Sequence, residues 1–123
     1  MRSSGRRQPL VAVLCSVPLL FEAISSTLQD IAEVHAFPAR RADTVGLLRS
    51  VRPDAVVVDD PIEAAEVEGW AEKHDVPLLE ICLRELKIRV LQDGDWEESA
   101  GASAESIRNA IAGSLYARGV VGS

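Results

Sequence analysis

Three short apolar runs, separated by stretches with helical periodicity, constrain the fold of this chain most strongly. The runs Leu10–Cys15, Ala55–Val58 and Leu78–Leu83 are almost continuously apolar, and Val, Leu and Ile dominate them. Strands that are buried on both faces have this composition, whereas strands with one solvent face alternate polar and apolar residues. The pattern therefore predicts parallel strands at the centre of a sheet that helices cover on both sides.

Apolar residues between these runs recur every three or four residues, the spacing that places them on one face of a helix. Leu20, Ile24 and Leu28 show this spacing after the first run. Four helices are predicted: one that Ser16 caps and Pro18 opens, one over Ala39–Val51, one over Ile62–His74 and one between Ser103 and Gly119. An edge strand is predicted over Glu33–Phe37. Strands and helices thus alternate along this part of the chain, as in α/β proteins.

The segment after the fourth strand has a different pattern. Lys87–Gln92 alternates polar and apolar residues, Asp93-Gly94 is a preferred two-residue hairpin turn, and Asp95–Glu98 is the predicted returning strand. Only Arg84–Leu86 separates this hairpin from the fourth strand, too few residues for the crossover helix that a parallel neighbour needs. We therefore expect the fourth and fifth strands to be antiparallel neighbours.

Length and charge limit the class of protein. The chain has 123 residues, enough for one domain, and a formal net charge of −6, which opposes binding to nucleic acid and to anionic membranes. We expect a domain over residues 9–118, between a disordered head (1–8) and a flexible tail (119–123). The two cysteines, Cys15 and Cys82, lie inside apolar runs and lack the spacing of a zinc site or disulfide framework. We expect both to be buried thiols.

A secretory signal peptide is an alternative interpretation of the first 23 residues. Arg2, Arg6 and Arg7 precede the largely apolar stretch Leu10–Phe21, as in such signals. A convincing cleavage site of small residues does not follow, and the same stretch fits a strand, a turn and a helix start. No run is apolar for the length of a transmembrane helix. We therefore prefer a cytoplasmic location.

Candidate site residues follow from the sheet itself. Ligand sites in open parallel sheets form beyond the carboxyl ends of the strands. This rule places Cys15, Ser16, Asp59, Asp60 and Arg84 around one cleft. For the two aspartates a structural role is an equal alternative, in which they end the strand and one carboxylate caps the third helix.

The run Arg52-Pro53-Asp54-Ala55-Val56-Val57-Val58-Asp59 resembles the approach to the phosphoacceptor in receiver domains of response regulators. Pro18-Leu19-Leu20 is also similar to that family, and the resemblance covers about residues 9–83. It implies a flavodoxin-like three-layer sandwich with a mostly parallel five-stranded sheet, in which the β-hairpin replaces the fourth crossover helix. It also implies that Asp59 occupies the phosphoacceptor position.

The chain departs from this family at the other positions that phosphoryl transfer uses. Cys15 and Ser16 stand where receivers carry two metal-binding acids. Receivers carry a Thr or Ser at the end of the fourth strand, and the corresponding residue here is Cys82 or Leu83. Receivers carry a Lys at the end of the fifth strand, and the corresponding residue here is Gln92 or Asp93. Mg²⁺ binding requires carboxylates, and the charge that develops on the phosphoryl group requires a metal and a cation.

These departures predict a pseudo-receiver: a non-catalytic signalling or scaffold domain without a metal or cofactor. Two alternatives stay open. One is a divergent receiver that is phosphorylated on Asp59, with Asp60 assisting the metal. The other is a small-molecule or redox-sensing module at the cleft beside Cys15 and Ser16.

A protein partner is expected, and a homodimer is left open. In receivers the face formed by the end of the sheet and the last helix carries partner contacts. The corresponding candidate interface here consists of Trp96, Ile88, Val90 and Leu115. Trp70, in the third helix, is expected in the core instead, and for Trp96 covering the sheet edge is an equal alternative to contacting a partner.

Overall fold

A computed structural model describes residues 8–37, 43–82, 84–92, 94–101 and 103–118. The six strands are β1 (Leu10–Leu14), β2 (Glu33–Ala36), β3 (Ala55–Val58), β4 (Leu78–Cys82), β5 (Lys87–Gln92) and β6 (Asp95–Ala100). The four helices are α1 (Pro18–Leu28), α2 (Thr44–Val51), α3 (Pro61–His74) and α4 (Ala104–Arg118). The α/β class predicted from the sequence is confirmed.

All six strands form one mixed sheet in the order β2-β1-β3-β4-β5-β6. The ladders β1/β2, β1/β3 and β3/β4 are parallel, whereas β4/β5 and β5/β6 are antiparallel. The expected count of five strands is therefore wrong: the sheet has six strands, and three of its five ladders are parallel. Both arms of the hairpin, β5 and β6, join the sheet and extend it by two strands.

Two separate cores lie on the two faces of the sheet. On one face, Ile24 of α1 and Ile107, Ile111 and Leu115 of α4 pack against Val11 and other strand residues. On the opposite face, residues of α2 and α3 pack against the alternate positions of the same strands; they include Leu48, Val67 and Trp70. The central strand β3 is buried at all four of its residues, as its unbroken apolar run predicted.

The helix caps confirm two predictions and correct a third. Ser103 precedes α4 and its Oγ accepts the Ser106 N–H at 3.2 Å, while Asp60 precedes α3 and its carboxylate accepts the Ile62 N–H at 2.8 Å. Ser16, in contrast, does not cap α1. The N-cap residue is Val17, which makes no side-chain cap hydrogen bond.

Two predicted boundaries and both termini lie partly outside the described residues. The second helix was predicted from Ala39 but begins at Thr44, because Asp43 is its non-helical N-cap residue; positions 38–42 lie outside the described residues. Gly119, predicted to end α4, is likewise outside them, as are positions 1–7 and 119–123 of the predicted head and tail. No helix in the described ranges is both long enough and apolar enough to span a membrane.

The two-residue hairpin turn is confirmed by the pairing of its flanking strands. Gln92 pairs with Asp95, so the loop consists of positions 93 and 94, of which Asp93 is outside the described residues. Gly94 has φ +82°, a conformation that glycine adopts without a steric penalty. A turn of this kind requires positive φ, which explains the preference for glycine there.

The segment Arg52–Asp54, which precedes β3, has a structural role. Arg52 ends α2 in the left-handed conformation, with φ 55°. Asp54 then ties the start of β3 to the start of β1: its backbone N–H donates to the Leu10 carbonyl at 2.7 Å, and its carboxylate accepts the Leu10 N–H at 2.8 Å. These bonds set the register of β1 against β3.

We predict that Asp54→Ala lowers the free energy of unfolding by about 1–2 kcal/mol, because the Leu10 N–H then loses its acceptor. Asp54→Asn retains an oxygen acceptor and should lose less. Urea unfolding followed by circular dichroism measures both. An alanine variant as stable as the parent protein would show that this carboxylate does not set the strand register.

Candidate functional site

The carboxyl ends of the parallel strands border a cavity of about 570 Å³. Asp59 and Pro61 line it from the end of β3, Cys82 from the end of β4, and Arg84 from the turn that follows. The structure thus brings Asp59 and Arg84 to one cavity, as predicted. Cys15 and Ser16 follow β1 at the same end of the sheet.

The Asp59 carboxylate is engaged by Ser16. The backbone N–H of Ser16 lies 3.0 and 3.2 Å from the two carboxylate oxygens of Asp59, and its hydroxyl lies 3.2 and 3.4 Å from them. The residues are 43 positions apart, so the contact joins the loop after β1 to the end of β3. Ser16 is therefore a tether for Asp59 rather than a helix cap.

Asp60 acts on its own helix. Its carboxylate accepts the Ile62 N–H, and Pro61 occupies the first helical position, where the missing N–H costs nothing. The structural alternative for the aspartate pair is confirmed for this residue. One carboxylate therefore caps α3, while the other accepts the N–H and hydroxyl of Ser16.

Cys15 is half-buried, and its thiol is held in the protonated form. Burial raises the pKa of Cys15 from 9.0 to about 12, and the negative charges of Asp59 and Glu63 add to the effect. Since the thiolate is the nucleophile in cysteine chemistry, this thiol is a poor nucleophile near neutral pH. Cys82, at the end of β4, also has a raised pKa, with burial as the main cause.

A cation does reach this end of the sheet, but not from the position expected. Because β5 runs antiparallel to β4, its first residue Lys87 pairs with Cys82 beside the cavity. Its last residue, Gln92, pairs with Asp95 at the opposite end of the sheet, and the Gln92 amide donates to the Ser114 carbonyl of α4 at 3.3 Å. If the receiver lysine position is assigned to Gln92, that residue therefore does not lie at the site; the other candidate, Asp93, lies outside the described residues.

Carboxylates already pair with the cations of β5. The Lys87 ammonium lies 3.1 Å from Glu85 and 3.2 Å from Glu98, and hydrogen bonds to these two carboxylates raise its pKa. Arg89 donates to the buried Glu80 at 2.8 Å. This network joins β4, β5 and β6 and compensates the positive charge beside the cavity.

The arginine of this network also covers the edge tryptophan. The Arg89 guanidinium lies 4.4 Å from the centre of the Trp96 ring, a cation–π contact, and Trp96 packs against the core on the α2 and α3 face. Of the two roles considered for Trp96, the structure thus supports covering the sheet. Trp70 is buried in the same core, as predicted, and stacks on His74 with ring centres 5.0 Å apart.

The interface predicted from the sequence needs correction. Ile88 and Leu115 are fully buried in the core between the sheet, α1 and α4, so neither can touch a partner in this fold. Val90 is partly buried against that core, and Trp96 is partly buried on the other face. The alternation that placed Ile88 and Val90 on one face was right, but α4 covers that face.

A group of exposed apolar side chains, which we call the apolar rim, was not predicted. Its members are Val17, Leu19, Ile62 and Leu86, with exposed fractions of 38%, 74%, 59% and 66%, and they are the exposed large apolar residues of the described chain. Val17 and Leu19 follow β1, Ile62 follows β3, and Leu86 lies between β4 and β5. All four therefore lie at the carboxyl end of the parallel strands: Leu19 and Ile62 in the first turns of α1 and α3, and Val17 and Leu86 in the loops before α1 and β5.

Metal binding has little basis in this arrangement. Across the described residues, no three His, Cys, Asp or Glu side chains come together in a group that could hold a metal ion. Mg²⁺ takes one or two carboxylates in addition to waters and phosphate oxygens. Here one carboxylate accepts hydrogen bonds from Ser16 and the next caps a helix.

Comparisons of the chain with protein-family models, curated proteins and solved structures gave no match.

We predict that Cys15 reacts slowly with iodoacetamide in the folded protein. In a Cys82→Ser variant, where Cys15 is the only thiol, the rate at pH 8 should be about three orders of magnitude below that of the urea-unfolded chain, since the pKa rises from 9.0 to about 12. Adding Asp59→Asn removes a negative charge that raises this pKa and should accelerate the reaction. Equal rates in the folded and unfolded chains would contradict the assignment.

Proposed function

We propose that this chain is a receiver-like signalling or scaffold domain that lacks phosphoryl-transfer activity and acts through contacts with another protein. The observation that carries the proposal is the engagement of the Asp59 carboxylate by the N–H and hydroxyl of Ser16. Donors on both carboxylate oxygens occupy lone pairs that an attack on phosphorus would use.

The surroundings of Asp59 support the absence of phosphoryl transfer. Such a transfer needs a metal and a cationic side chain that neutralise the charge on the phosphoryl oxygens, and that side chain must not be occupied by other partners. Asp60, the adjacent acid, caps α3, and Lys87, a cation of the cavity, is hydrogen-bonded to Glu85 and Glu98. Phosphorylation would have to break these contacts first.

The apolar rim supports a role in protein contacts. Leu19, Ile62 and Leu86 expose more than half of their surface at one end of the sheet. Leu86 does so in the left-handed conformation, with φ 55°, which is unfavourable for a residue with a Cβ atom. Apolar surface that stays exposed at one end of a sheet is available for contact with a partner.

The two alternatives differ in what supports them. A divergent receiver that uses Asp59 is favoured by the presence of Arg84 and Lys87 in the same cavity. A redox-sensing role is opposed by the raised pKa of Cys15, which disfavours the thiolate that such a sensor needs. The phosphorylation experiment therefore separates the first alternative from the proposal.

We predict that incubation with acetyl phosphate and Mg²⁺ leaves the mass of the intact protein unchanged. Electrospray mass spectrometry under mild acidic conditions, which preserve acyl phosphates, measures this directly, and a receiver known to accept phosphate serves as the positive control. Gain of one phosphoryl group that disappears in Asp59→Asn would refute the proposal and favour the divergent receiver.

A further inference from the structure

The outermost strand of the sheet, β6, has one edge that no described residue pairs with. Its sole neighbour in the sheet order is β5, and no other described segment forms a backbone hydrogen bond with residues 95–100. Pairing with β5 continues without interruption from Gln92 and Asp95 to Lys87 and Ala100, and β6 contains no proline. Bulges, prolines and very short strands protect many natural edges, and this edge has none of them.

The hairpin geometry identifies the backbone groups that face outward. Antiparallel pairs alternate between hydrogen-bonded and non-hydrogen-bonded positions, and the pair that closes a two-residue turn is hydrogen-bonded. Gln92 and Asp95 are that pair, so every second pair from there is hydrogen-bonded as well. The bond from the Gly101 N–H to the Leu86 carbonyl, at 2.9 Å, fits this alternation at the other end of the hairpin. The N–H and C=O groups of Trp96, Glu98 and Ala100 therefore point away from β5.

The side chains of this edge carry negative charge on one face. Asp95 and Glu97 are exposed, lie two positions apart on the same face of the strand and form no ion pair with any described residue. Glu98, on the other face, is compensated by Lys87 and lies 3.7 Å from Arg89. The uncompensated charge is thus that of two alternate carboxylates.

This charge pattern selects the occupant of the edge. A second copy that paired through β6 would bring Asp95 and Glu97 close to the same acidic residues, and like charges across a strand pair are destabilising. A strand with Lys or Arg at two alternate positions would instead oppose both carboxylates. Its backbone would satisfy the outward groups of Trp96, Glu98 and Ala100.

We propose that β6 binds an extended segment of another protein that carries basic residues at alternate positions, which adds a seventh strand to the sheet. The inference goes beyond the proposed function, since it concerns the β6 edge rather than Asp59 or the apolar rim, and it stands whether or not Asp59 is ever phosphorylated. The segment contributes main-chain hydrogen bonds, and its basic side chains supply the selectivity.

The direct test is amide hydrogen exchange of the full chain, followed by NMR, with a peptide in which Lys alternates with Thr. We expect the peptide to slow exchange at Trp96, Glu98 and Ala100, whose N–H groups face outward. The amides of Glu97 and Ser99 already face β5 and should change little. A peptide of the same length with Glu in place of Lys should give no protection.

A matched pair of variants tests the backbone contact. Glu98→Ala and Glu98→Pro both remove the carboxylate and its ion pairs, but only proline also removes an outward N–H. We expect the proline variant to bind the Lys/Thr peptide about tenfold more weakly than the alanine variant. A circular dichroism spectrum like that of the parent protein, and an unchanged NMR signal of the Trp96 ring, which Arg89 covers, show whether each variant keeps the hairpin.

Three results would overturn the proposal. One is unchanged exchange at Trp96, Glu98 and Ala100 in the unmodified protein at saturating peptide. Another is equal protection by the acidic peptide, which would remove the role of Asp95 and Glu97. The third is concentration-dependent protection of the same amides without peptide, which would assign the edge to a second copy of the chain. Because these readouts use the unmodified protein, they do not depend on the folding of the proline variant.

Discussion

The short connection between β4 and β5 is the constraint on which most of this structure depends. Four positions, 83–86, join the two strands, too few for a crossover to a parallel neighbour, so β5 must return antiparallel. That reversal brings Lys87 to the carboxyl end of the parallel strands and takes Gln92 to the other end. It also ends the sheet with the open edge of β6.

The same reversal alters the electrostatics around Asp59. Glu80 would be a buried, uncompensated charge on β4 if the neighbouring strand did not place Arg89 directly opposite it. The hairpin supplies that arginine, and Glu98 on β6 pairs with Lys87. Lys87 and Arg89, two of the cations that line the cavity, thereby stabilise the hairpin, which leaves them less available for a bound phosphoryl group.

The sequence predicted the elements well where one local rule decided the outcome. Unbroken apolar runs located the buried strands, and the Asp93-Gly94 turn with its alternating flanks located the hairpin. The spacing of Ile107, Ile111 and Leu115 located α4. In each case the residues that form the pattern are close in sequence, so the pattern alone predicts the type of element and which of its residues are buried.

The sequence failed where contacts between distant residues decide the outcome. Ser16 has the residue type and position of a helix cap, but its hydroxyl and N–H donate to Asp59, 43 residues away, instead. The alternation in β5 showed that Ile88 and Val90 share a face, but not that α4 covers it. The apolar rim lies in loops and in the first turns of α1 and α3, where a few apolar residues are too short a stretch to show a period, although Leu86 in a polar turn was a usable signal.

Asp59 acts as a structural acceptor for Ser16, and the backbone N–H of Ser16 is the donor that reports this contact. Hydrogen exchange of the Ser16 amide, measured by NMR in the parent protein and in Asp59→Ala, tests it most directly. We expect slow exchange in the parent protein, although Ser16 is exposed, and loss of that protection in the variant. A Ser16 amide that exchanges at the rate of an unstructured chain in the parent protein would contradict it.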